Sequence, residues 1–562
     1  MDSRRKVAAV LEEMALLSEL AGENPFKVRA MANAARTVLR LGEEFEGIAA
    51  RGELTGIPGI GKGIAGLISQ TLAQGEPAAL AELKRALPPG LPDLLQLPGL
   101  GPKRVRTLWR ELGITTLGDL EYACRENRLL TLAGFGPATQ ARVLNAVEFC
   151  RSTSDKHHIS EGWHAAEETL AALRKATPDA EAEAAGEVRR FCEVIGEAVV
   201  VYTGATPKAL LPALAGLLSD AAEDAFGRVT GRHASGVPVR LVGVPRRSFG
   251  AALAWQTGSA RHLEQLAVRA VSGGLVLAEG VLCDASGSQV DCPREGDLYA
   301  RLGLPWIPPE IREGDGEVEA AANGALPNLV SENDILGAVH VHTTDSDGTA
   351  SLEEMADAAA RLRWSLLGIA DHSRVAAYAH GLDGARLRAQ GEAIAARNFR
   401  GDGPLLLRGI EADILADGTL DLPAEVPLDF VVASVHSSFR QSAEVQTARL
   451  VRAVSRGPGT ILGHPTGRLL LAREGYQVDL EAVLQAAAAT GAAVEINAHP
   501  FRLDLDWRWV RRAAELGVPI SIGPDAHEPA GLADVRWGVG IARKGWATAN
   551  DVLNTRPWPW WP

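Results

Sequence analysis

Short apolar runs in the last two-fifths of the chain share one feature: each ends in an imidazole or a carboxylate. The runs are four to seven residues long and alternate with helical stretches, which is the pattern of βα units. Because the carboxyl ends of parallel strands meet at one mouth, ligand-type side chains at those ends converge. The pattern over residues 335–562 therefore predicts a barrel-like β/α domain with a single polar site.

Six imidazoles and three carboxylates follow these runs. They are His340, His342, Asp347, His372, Glu411, His436, His464, Asp525 and His527. Nine side-chain ligands are too many for one metal ion and suit two or three. His340 and His342 lie two apart on a predicted strand, so we expect their rings on the same face. Glu411 is the expected bridging carboxylate.

The charge of such a centre favours a phosphate substrate. Three divalent ions would carry six positive charges against three negative charges from the carboxylates. The surplus positive charge would bind a phosphodiester and lower the pKa of a metal-bound water molecule toward about 7. We expect Glu411, Asp525, His436 and His527 to be the catalytic members. His380 and His499 are expected outside the ligand set, and Asp371 and Asn497 are expected to orient the ligands.

A second pattern recurs three times near the N-terminus, at residues 57–62, 97–103 and 132–137. Each copy places two glycines at alternate positions before a helical stretch, which permits a tight turn and exposes backbone N–H groups to a phosphate. A single copy would be merely a helix–helix turn, but three resemble helix-hairpin-helix motifs that grip nucleic-acid backbone. The expected DNA contacts are Gly59, Gly61, Lys62, Gly99, Gly101, Lys103, Arg104, Gly134 and Gly136.

Composition limits the remaining possibilities. The net charge of −13 argues against a chain coated in positive charge, although residues 1–150 carry 18 basic and 17 acidic residues. The five cysteines form no C-x-x-C pair, and neither a signal peptide nor a membrane span is indicated. These features predict a soluble cytoplasmic protein without a disulfide framework. Residues 1–150 have helical apolar spacing throughout, whereas short strands are expected near 197–202 and 237–244.

The C-terminal residues resemble a polymerase and histidinol phosphatase (PHP) domain. The resemblance is carried by runs at 340–348, 371–373, 409–413, 434–436, 463–468, 495–497 and 525–527. It implies a distorted (β/α)7 barrel that holds two or three Zn²⁺ or Mn²⁺ ions. All nine ligand positions of that family are filled here.

The whole chain resembles bacterial family-X DNA polymerases (PolX), through residues 24–30, the hairpin motifs and residues 308–313. The resemblance implies five segments: an N-terminal helical DNA-binding domain of the 8-kDa type (1–85), an all-α fingers-like domain with two further hairpin motifs (86–155), an α+β nucleotidyltransferase-like palm and thumb (156–304), a linker (305–334) and the PHP metallophosphoesterase domain (335–562). Such proteins are associated with gap filling and base-excision repair.

The palm departs from the family pattern at its catalytic positions. Glu187 stands in place of the serine that binds triphosphate, and Glu197, Val199 and Arg240 stand where the family has three aspartates. Nucleotidyl transfer by two metal ions needs carboxylates that hold both ions. The sequence therefore predicts a degenerate polymerase centre.

The sequence thus predicts a monomeric DNA repair protein whose PHP domain is a metal-dependent 3′–5′ exonuclease on gapped, nicked or 3′-end DNA. Arg189, Arg190 and Arg468 are candidate phosphate contacts, with surface salt bridges as the alternative. Three other functions stay open: an active gap-filling polymerase with an attached exonuclease, a non-enzymatic DNA-binding scaffold, and a small-molecule phosphatase.

Overall fold

A computed structural model describes residues 3–41, 44–95, 97, 99–153, 155–423 and 426–561. The chain divides into two compact units, Met1–Ser154 and Asp155–Pro562. Within the described ranges, no helix combines the length and apolarity that crossing a membrane requires. Pro98, part of the second glycine motif, lies outside the described residues.

The first unit is helical, which confirms the prediction for residues 1–150. Its α-helices are α1 (Ser3–Ala21), α2 (Pro25–Arg40), α3 (Glu44–Ala50), α4 (Lys62–Gln74), α5 (Ala78–Ala86), α6 (Leu91–Leu95), α7 (Pro102–Leu112), α8 (Leu117–Arg125) and α9 (Pro137–Thr153). Apolar side chains such as Leu20, Leu91 and Leu108 form its core. Burial of these side chains supplies the main driving force for the unit.

Each glycine motif forms the turn before a helix. Gly59, Gly99 and Gly134 have φ angles of 91°, 87° and 84°, a left-handed conformation that favours glycine. Gly61 and Gly101 then cap the N-termini of α4 and α7. The tight turn before a helix that the sequence predicts is therefore present at Gly59, Gly99 and Gly134.

The second unit begins with an α+β region. Its strands are β1 (His157–His158), β2 (Glu181–Ala185), β3 (Val194–Ile195), β4 (Ala198–Thr203), β5 (Leu218–Glu223), β6 (Val229–His233), β7 (Pro238–Gly243), β8 (Val276–Ala278) and β9 (Val281–Cys283). Its helices are α10 (Ile159–Ala176), α11 (Gly186–Arg189), α12 (Pro207–Leu214), α13 (Phe249–Thr257), α14 (Ala260–Ser272), α15 (Glu295–Arg301) and α16 (Glu317–Ala322).

Five of these strands form one mixed sheet in the order β2-β4-β7-β6-β5. Strands β4 and β7 confirm the two predicted strands and run parallel, with Val199 beside Arg240. The predicted linker, residues 305–334, is partly helical and packed. It contains α16, and Arg312 and Glu317 within it are completely buried.

The rest of the second unit is built from βα units, as predicted. Its strands are β10 (Gly337–Val341), β11 (Leu366–Ile369), β12 (Leu405–Arg408), β13 (Glu411–Asp413), β14 (Val431–Ser434), β15 (Thr460–Leu462), β16 (Ala493–Asn497) and β17 (Ile520–Gly523). Its helices are α17 (Leu352–Arg361), α18 (Gly384–Arg400), α19 (Ala443–Val454), α20 (Leu480–Thr490), α21 (Trp507–Glu515) and α22 (Val535–Lys544).

These strands form two parallel sheets, β10-β11-β12 and β13-β14-β15-β16-β17. Single parallel bridges join the sheets at Val341–Ala526 and His372–Glu411. The (β/α)7 barrel stays a prediction, because the eight strands are divided between two separate sheets. One hydrophobic core continues from the mixed sheet into this domain, through side chains such as Val239 and Ile522.

Candidate metal centre

The carboxyl ends of the parallel strands bring the nine predicted ligand side chains together. His340 lies within β10 and Glu411 begins β13, whereas the others follow their strands by a few residues. Their ligand atoms form four overlapping groups, each with all atoms within 4.8 Å: His342, Asp347, His372 and His527; His340, His342 and Asp525; His340, Glu411 and His464; His372, Glu411 and His436. Geometrically, the nine side chains form one pocket.

Glu411 lies at the middle of this pocket and is almost completely buried. Its Oε1 is 3.3 Å from His340 Nε2, 3.2 Å from His436 Nε2 and 3.0 Å from His464 Nε2. Its Oε2 is 2.9 Å from His372 Nδ1. Because the two oxygens face different imidazoles, this carboxylate is placed to bridge two cations.

The two aspartates extend the pocket toward solvent. Asp525 Oδ1 lies 3.2 Å from His342 Nε2 and 3.5 Å from His340 Nε2. Asp347 lies 3.3 Å from His527 Nε2 and 3.5 Å from His372 Nε2. The His527 side chain is 38% exposed and is the most accessible of the nine. Substrate would therefore approach from the side of His527.

The donor set fits divalent metal ions. Ligands about 2.1 Å from a tetrahedral ion lie about 3.4 Å apart, close to the distances in this pocket. Several buried atoms of the pocket form no well-directed hydrogen bond with the described residues, although some lie within 3.3 Å of a neighbouring ligand: His340 Nε2, both ring nitrogens of His342, His372 Nδ1, His464 Nδ1 and Glu411 Oε2. Buried polar atoms are rarely left without partners, so bound cations would account for them.

The electrostatics of the pocket agree with that fit. Burial alone would raise the pKa of the Glu411 carboxyl, but the imidazoles of His436, His372 and His340 hold it well below its usual value. Burial would likewise lower the pKa of His372, yet Glu411 and Asp347 raise it to about 10. Protons on such rings substitute for metal charge, so metal binding would release them.

A surrounding layer of carboxylates orients the imidazoles. Glu495 Oε1 accepts from His340 Nδ1 at 2.5 Å, and Glu495 Oε2 accepts from the backbone N–H of His464 at 2.7 Å. Asp413 Oδ1 is 3.1 Å from His436 Nδ1. A carboxylate on the far ring nitrogen fixes the tautomer and direction of a metal-binding histidine.

Asp371 and Asn497 were expected to orient the ligands. Asp371 hydrogen-bonds to the loop that carries Asp347, and Asn497 hydrogen-bonds to Asp525 itself. Asp371 accepts from Thr343 N at 2.8 Å, from Thr343 Oγ1 at 2.7 Å and from Ser346 Oγ at 2.5 Å, so it holds the loop that carries Asp347. Asn497 Nδ2 donates to Asp525 Oδ2 at 3.0 Å. Both contacts favour the expected positioning roles.

The β10 backbone differs from the regular strand expected at His340 and His342. The register shifts between Ala338 and Val341, and His340 has a φ of 71°. The two rings still converge, with centroids 5.3 Å apart, because the irregularity turns His340 toward Asp525. Asp525 also has a positive φ, of 52°. Such conformations cost roughly 1–3 kcal/mol each and cluster at functional sites.

Two residues that sequence reasoning missed lie beside the pocket ligands. Tyr378 is 69% exposed, and its ring centroid lies 6.0 Å from that of His372. Arg502 Nε lies 3.5 Å from Asp525 Oδ2. Neither residue follows a strand directly, so the strand-end signal could not find it. Phe501, also missed, is 51% exposed and lies against the rings of His158 and His499.

The four residues at degenerate polymerase positions lie in or beside the mixed sheet: Val199 is in β4, Arg240 is in β7, Glu187 is in α11 and Glu197 directly precedes β4. Arg240 Nη2 lies 2.6 Å from Glu197 Oε1, and Arg240 Nη1 donates to Gln256 Oε1 at 3.1 Å. Val199, beside Arg240, is buried. Glu187 Oε2 accepts from the backbone N–H of Gly196 at 2.7 Å. The Glu197 carboxylate and the Arg240 guanidinium are therefore paired with each other, and the Glu187 carboxylate is hydrogen-bonded to the backbone.

The three candidate phosphate-binding arginines are also paired internally. Arg189 binds Glu295 through two nitrogens, at 2.7 and 2.9 Å. Arg190 Nε donates to Glu313 Oε1 at 3.0 Å.

Arg468 donates to the carbonyl oxygens of Arg502 and Leu503 and pairs with Asp506. A phosphate contact from any of the three arginines stays a prediction that would require these internal pairs to open. The alternative of solvent-facing salt bridges does not describe them either, because all three side chains are largely buried.

The predicted DNA contacts of the first unit are accessible. A Cβ added at any of the six motif glycines would meet no described atom within 4 Å, so a DNA backbone could approach them closely. Lys62 and Lys103 are exposed. Arg104 is exposed too, but its Nη1 donates to Gly99 O at 2.8 Å. This hydrogen bond joins the Arg104 side chain to the turn of the second glycine motif.

Four family models match the chain. They are described as a helix-hairpin-helix domain (residues 2–77), a SAM-like helix-hairpin-helix tandem (91–148), a DNA polymerase beta thumb (252–313) and a PHP domain (338–499). Together they follow the order of the segments expected from the sequence.

Curated relatives extend the match to the whole length. The chain is 34% identical to the DNA polymerase/3′-5′ exonuclease PolX of Bacillus subtilis (strain 168) over 562 residues, which covers 98% of this chain and 97% of the relative. It is 30% identical over 166 residues to a protein named probable phosphatase from Thermoanaerobacter sp. (strain X514), covering 27% of this chain and 65% of that protein.

Proposed function

Because the chain belongs to the bacterial family-X DNA polymerases with a C-terminal PHP domain, we propose that its PHP pocket is the working active site, a metal-dependent 3′–5′ exonuclease on DNA. The observation that carries the proposal is the convergence of nine ligand side chains in one pocket, with Glu411 at its middle. The glycine turns of the first unit would hold the DNA backbone without reading sequence.

We propose that two or three Zn²⁺ or Mn²⁺ ions occupy the pocket. One ion would lie among His342, Asp347, His372 and His527, and the others would share Glu411 with the remaining histidines and Asp525. Ions bound there would polarise a phosphodiester and lower the pKa of a nearby water molecule. Glu411, Asp525, His436 and His527 are the proposed catalytic members.

The protein side chains would supply orientation. Glu495 and Asp413 keep His340 and His436 in one tautomer, so their Nε2 atoms stay directed at the pocket. Asp371 keeps the Asp347 loop in place. Geometry that is fixed before the substrate binds lowers the cost of reaching the transition state.

The rim favours an unpaired 3′ end as substrate. Tyr378 presents an exposed aromatic ring beside His372, and nucleobases stack on such rings irrespective of sequence. The Arg502 side chain is 22% exposed and its nearest approach to Asp525 is 3.5 Å, so its guanidinium could donate to a phosphate beside the pocket. A stacked, single-stranded end is the form that reaches such a recessed pocket.

A 3′-labelled oligonucleotide with Mn²⁺ tests the exonuclease. Asp525→Asn and His342→Ala are expected to abolish digestion, and Glu474→Gln, an exposed control, is expected to retain it. Digestion that survives both pocket variants would refute the assignment. The relatives named phosphatases favour one second candidate, a phosphomonoesterase. Faster turnover of histidinol phosphate than of the oligonucleotide would support that candidate instead.

We also propose that the polymerase centre is inactive. The Arg240–Glu197 pair occupies the place where the family needs metal-binding aspartates, and Glu187 puts a carboxylate where the family has the serine that binds triphosphate. Primer extension on a gapped duplex tests this proposal. Extension that requires dNTPs and is lost in Glu197→Ala would overturn it, whereas the expected result is no extension.

A further inference from the structure

A second cluster of metal-type ligands lies in the mixed-sheet region, apart from the nine residues of the PHP pocket. It consists of His164 and Glu168 on α10 and His233 at the end of β6, with one ligand atom of each within 4.8 Å of the others. Residues four apart on a helix share a face, which explains why His164 and Glu168 both point at His233. We propose that these three side chains bind one Zn²⁺-type ion.

The distances suit a tetrahedral ion. Glu168 Oε2 is 2.8 Å from His233 Nε2, and Glu168 Oε1 is 3.6 Å from His164 Nε2. These values lie on either side of the separation of about 3.4 Å between ligands of a tetrahedral zinc ion. The two imidazoles meet edge to face, with centroids 5.7 Å apart, so both can turn a nitrogen toward one point.

A simple hydrogen bond explains only part of this arrangement. Glu168 and His233 form an ordinary pair, but His164 makes no hydrogen bond with any described residue and still lies against the same carboxylate. The pair formed by His262 and Glu317 shows the contrast. There, both ring nitrogens have partners, at 2.5 Å to Glu317 and 3.1 Å to Tyr299, and the described residues bring no third metal-type ligand into a group with them.

The contacts of His233 leave Nε2 as the ring nitrogen that faces the cluster. The side chain is 5% exposed, and Nδ1 lies 2.8 Å from Ser235 Oγ and accepts from the backbone N–H of Ser235 at 3.2 Å. Nε2 points at Glu168 Oε2, so a metal ion would bind there in place of the proton that the pair shares. His164 and Glu168 are 62% and 45% exposed, so a fourth position is open to water. Two nitrogens and one oxygen suit Zn²⁺, Co²⁺ or Ni²⁺ more than Mg²⁺.

The ion would join α10 to the end of β6, the strand next to the edge strand β5. No catalytic part is assigned to it, and the proposal does not depend on the activity of the PHP pocket. Its role would be to fix the scaffold that has lost its polymerase carboxylates.

Zinc stoichiometry tests the proposal on the full-length chain. Each protein is loaded with Zn²⁺, desalted and assayed for bound zinc by mass spectrometry. His164→Ala and Glu168→Gln are expected to hold one zinc fewer per chain than wild type. Glu167→Gln is the matched control, because Glu167 is adjacent on α10 but pairs with Trp163 Nε1 at 2.6 Å. Equal zinc content in all four proteins, or an equal loss in the control, would overturn the site.

A spectroscopic measurement separates this site from the PHP pocket. In a chain that carries His342→Ala and Asp525→Asn, bound Co²⁺ is expected to give a visible tetrahedral absorption band, and its intensity is expected to fall by the contribution of one ion when His164→Ala is added. An unchanged intensity would also overturn the proposal. Mn²⁺-dependent exonuclease activity of the single variant His164→Ala is expected to equal wild type, which shows that the exposed substitution leaves the chain folded.

Discussion

Glu495→Gln isolates the contribution of ligand orientation at the PHP pocket. Glu495 is 1% exposed and binds no substrate, but its two oxygens hold His340 Nδ1 at 2.5 Å and the His464 backbone N–H at 2.7 Å. Glutamine has nearly the same shape and removes the negative charge. The variant therefore keeps the packing and loses the charged hydrogen bond to His340.

The expected magnitude follows from that geometry. Loss of a residue that orients a metal ligand typically lowers metal affinity or activity by about 10- to 100-fold. That range corresponds to about 1.4–2.7 kcal/mol. Because His340 contributes to two of the ligand groups, we expect the upper half of the range. The Mn²⁺ concentration for half-maximal exonuclease rate should rise accordingly, while the rate at saturating Mn²⁺ falls less.

The assay is digestion of a 3′-labelled oligonucleotide over a Mn²⁺ titration, with calorimetric Mn²⁺ binding as a second measurement. Glu474→Gln, the same chemical change on the surface, is the control. Circular dichroism checks that Glu495→Gln is folded. A folded variant whose Mn²⁺ dependence stays within twofold of wild type would show that the Glu495 contact does not position a ligand, and the reasoning would be refuted.

Three further predictions test other parts of the chain. Burial alone would raise the pKa of Glu295, but Arg312 and Arg189 lower it from 4.5 to about 2. This shift stabilises the folded state by about 3 kcal/mol above pH 4.5, and the stabilisation is lost as the pH falls toward 2. The stability difference between wild type and Glu295→Gln in urea should shrink over that interval, and a constant difference would contradict the pairing. Tyr378→Ala should raise KM for a single-stranded oligonucleotide roughly 5- to 150-fold with little change in kcat, whereas an unchanged KM would argue against stacking. Arg240→Asp alone should give no primer extension, because Val199 leaves the centre without a needed carboxylate; extension by this variant would count against the degenerate centre.

The helical first unit and the βα domain could be predicted because their signals are local. Apolar residues that recur three and four positions apart specify helices, and short apolar runs between helical stretches specify buried parallel strands. Paired glycines before helices specify the turns at Gly59, Gly99 and Gly134, because φ angles near 90° favour a residue without a side chain. Each of these patterns is complete within a few neighbouring residues.

The nine ligand candidates could be found for a related reason. Parallel strands place their carboxyl ends at one mouth, so the order of residues along the chain already predicts convergence. His340 is the exception in detail. Its φ of 71° comes from an irregularity in β10 that alternation of side chains along a strand cannot foresee.

The tertiary structure alone decided which charges meet across the chain. Arg189 and Glu295 are paired although 106 residues separate them, and Arg468 is held by residues from two different parts of the second unit. In the sequence, these arginines could equally have faced phosphate. The same holds for His164, Glu168 and His233, whose proximity depends on how α10 lies on the sheet. Local patterns specify elements, whereas ion pairs and ligand clusters depend on packing between elements that the sequence leaves far apart.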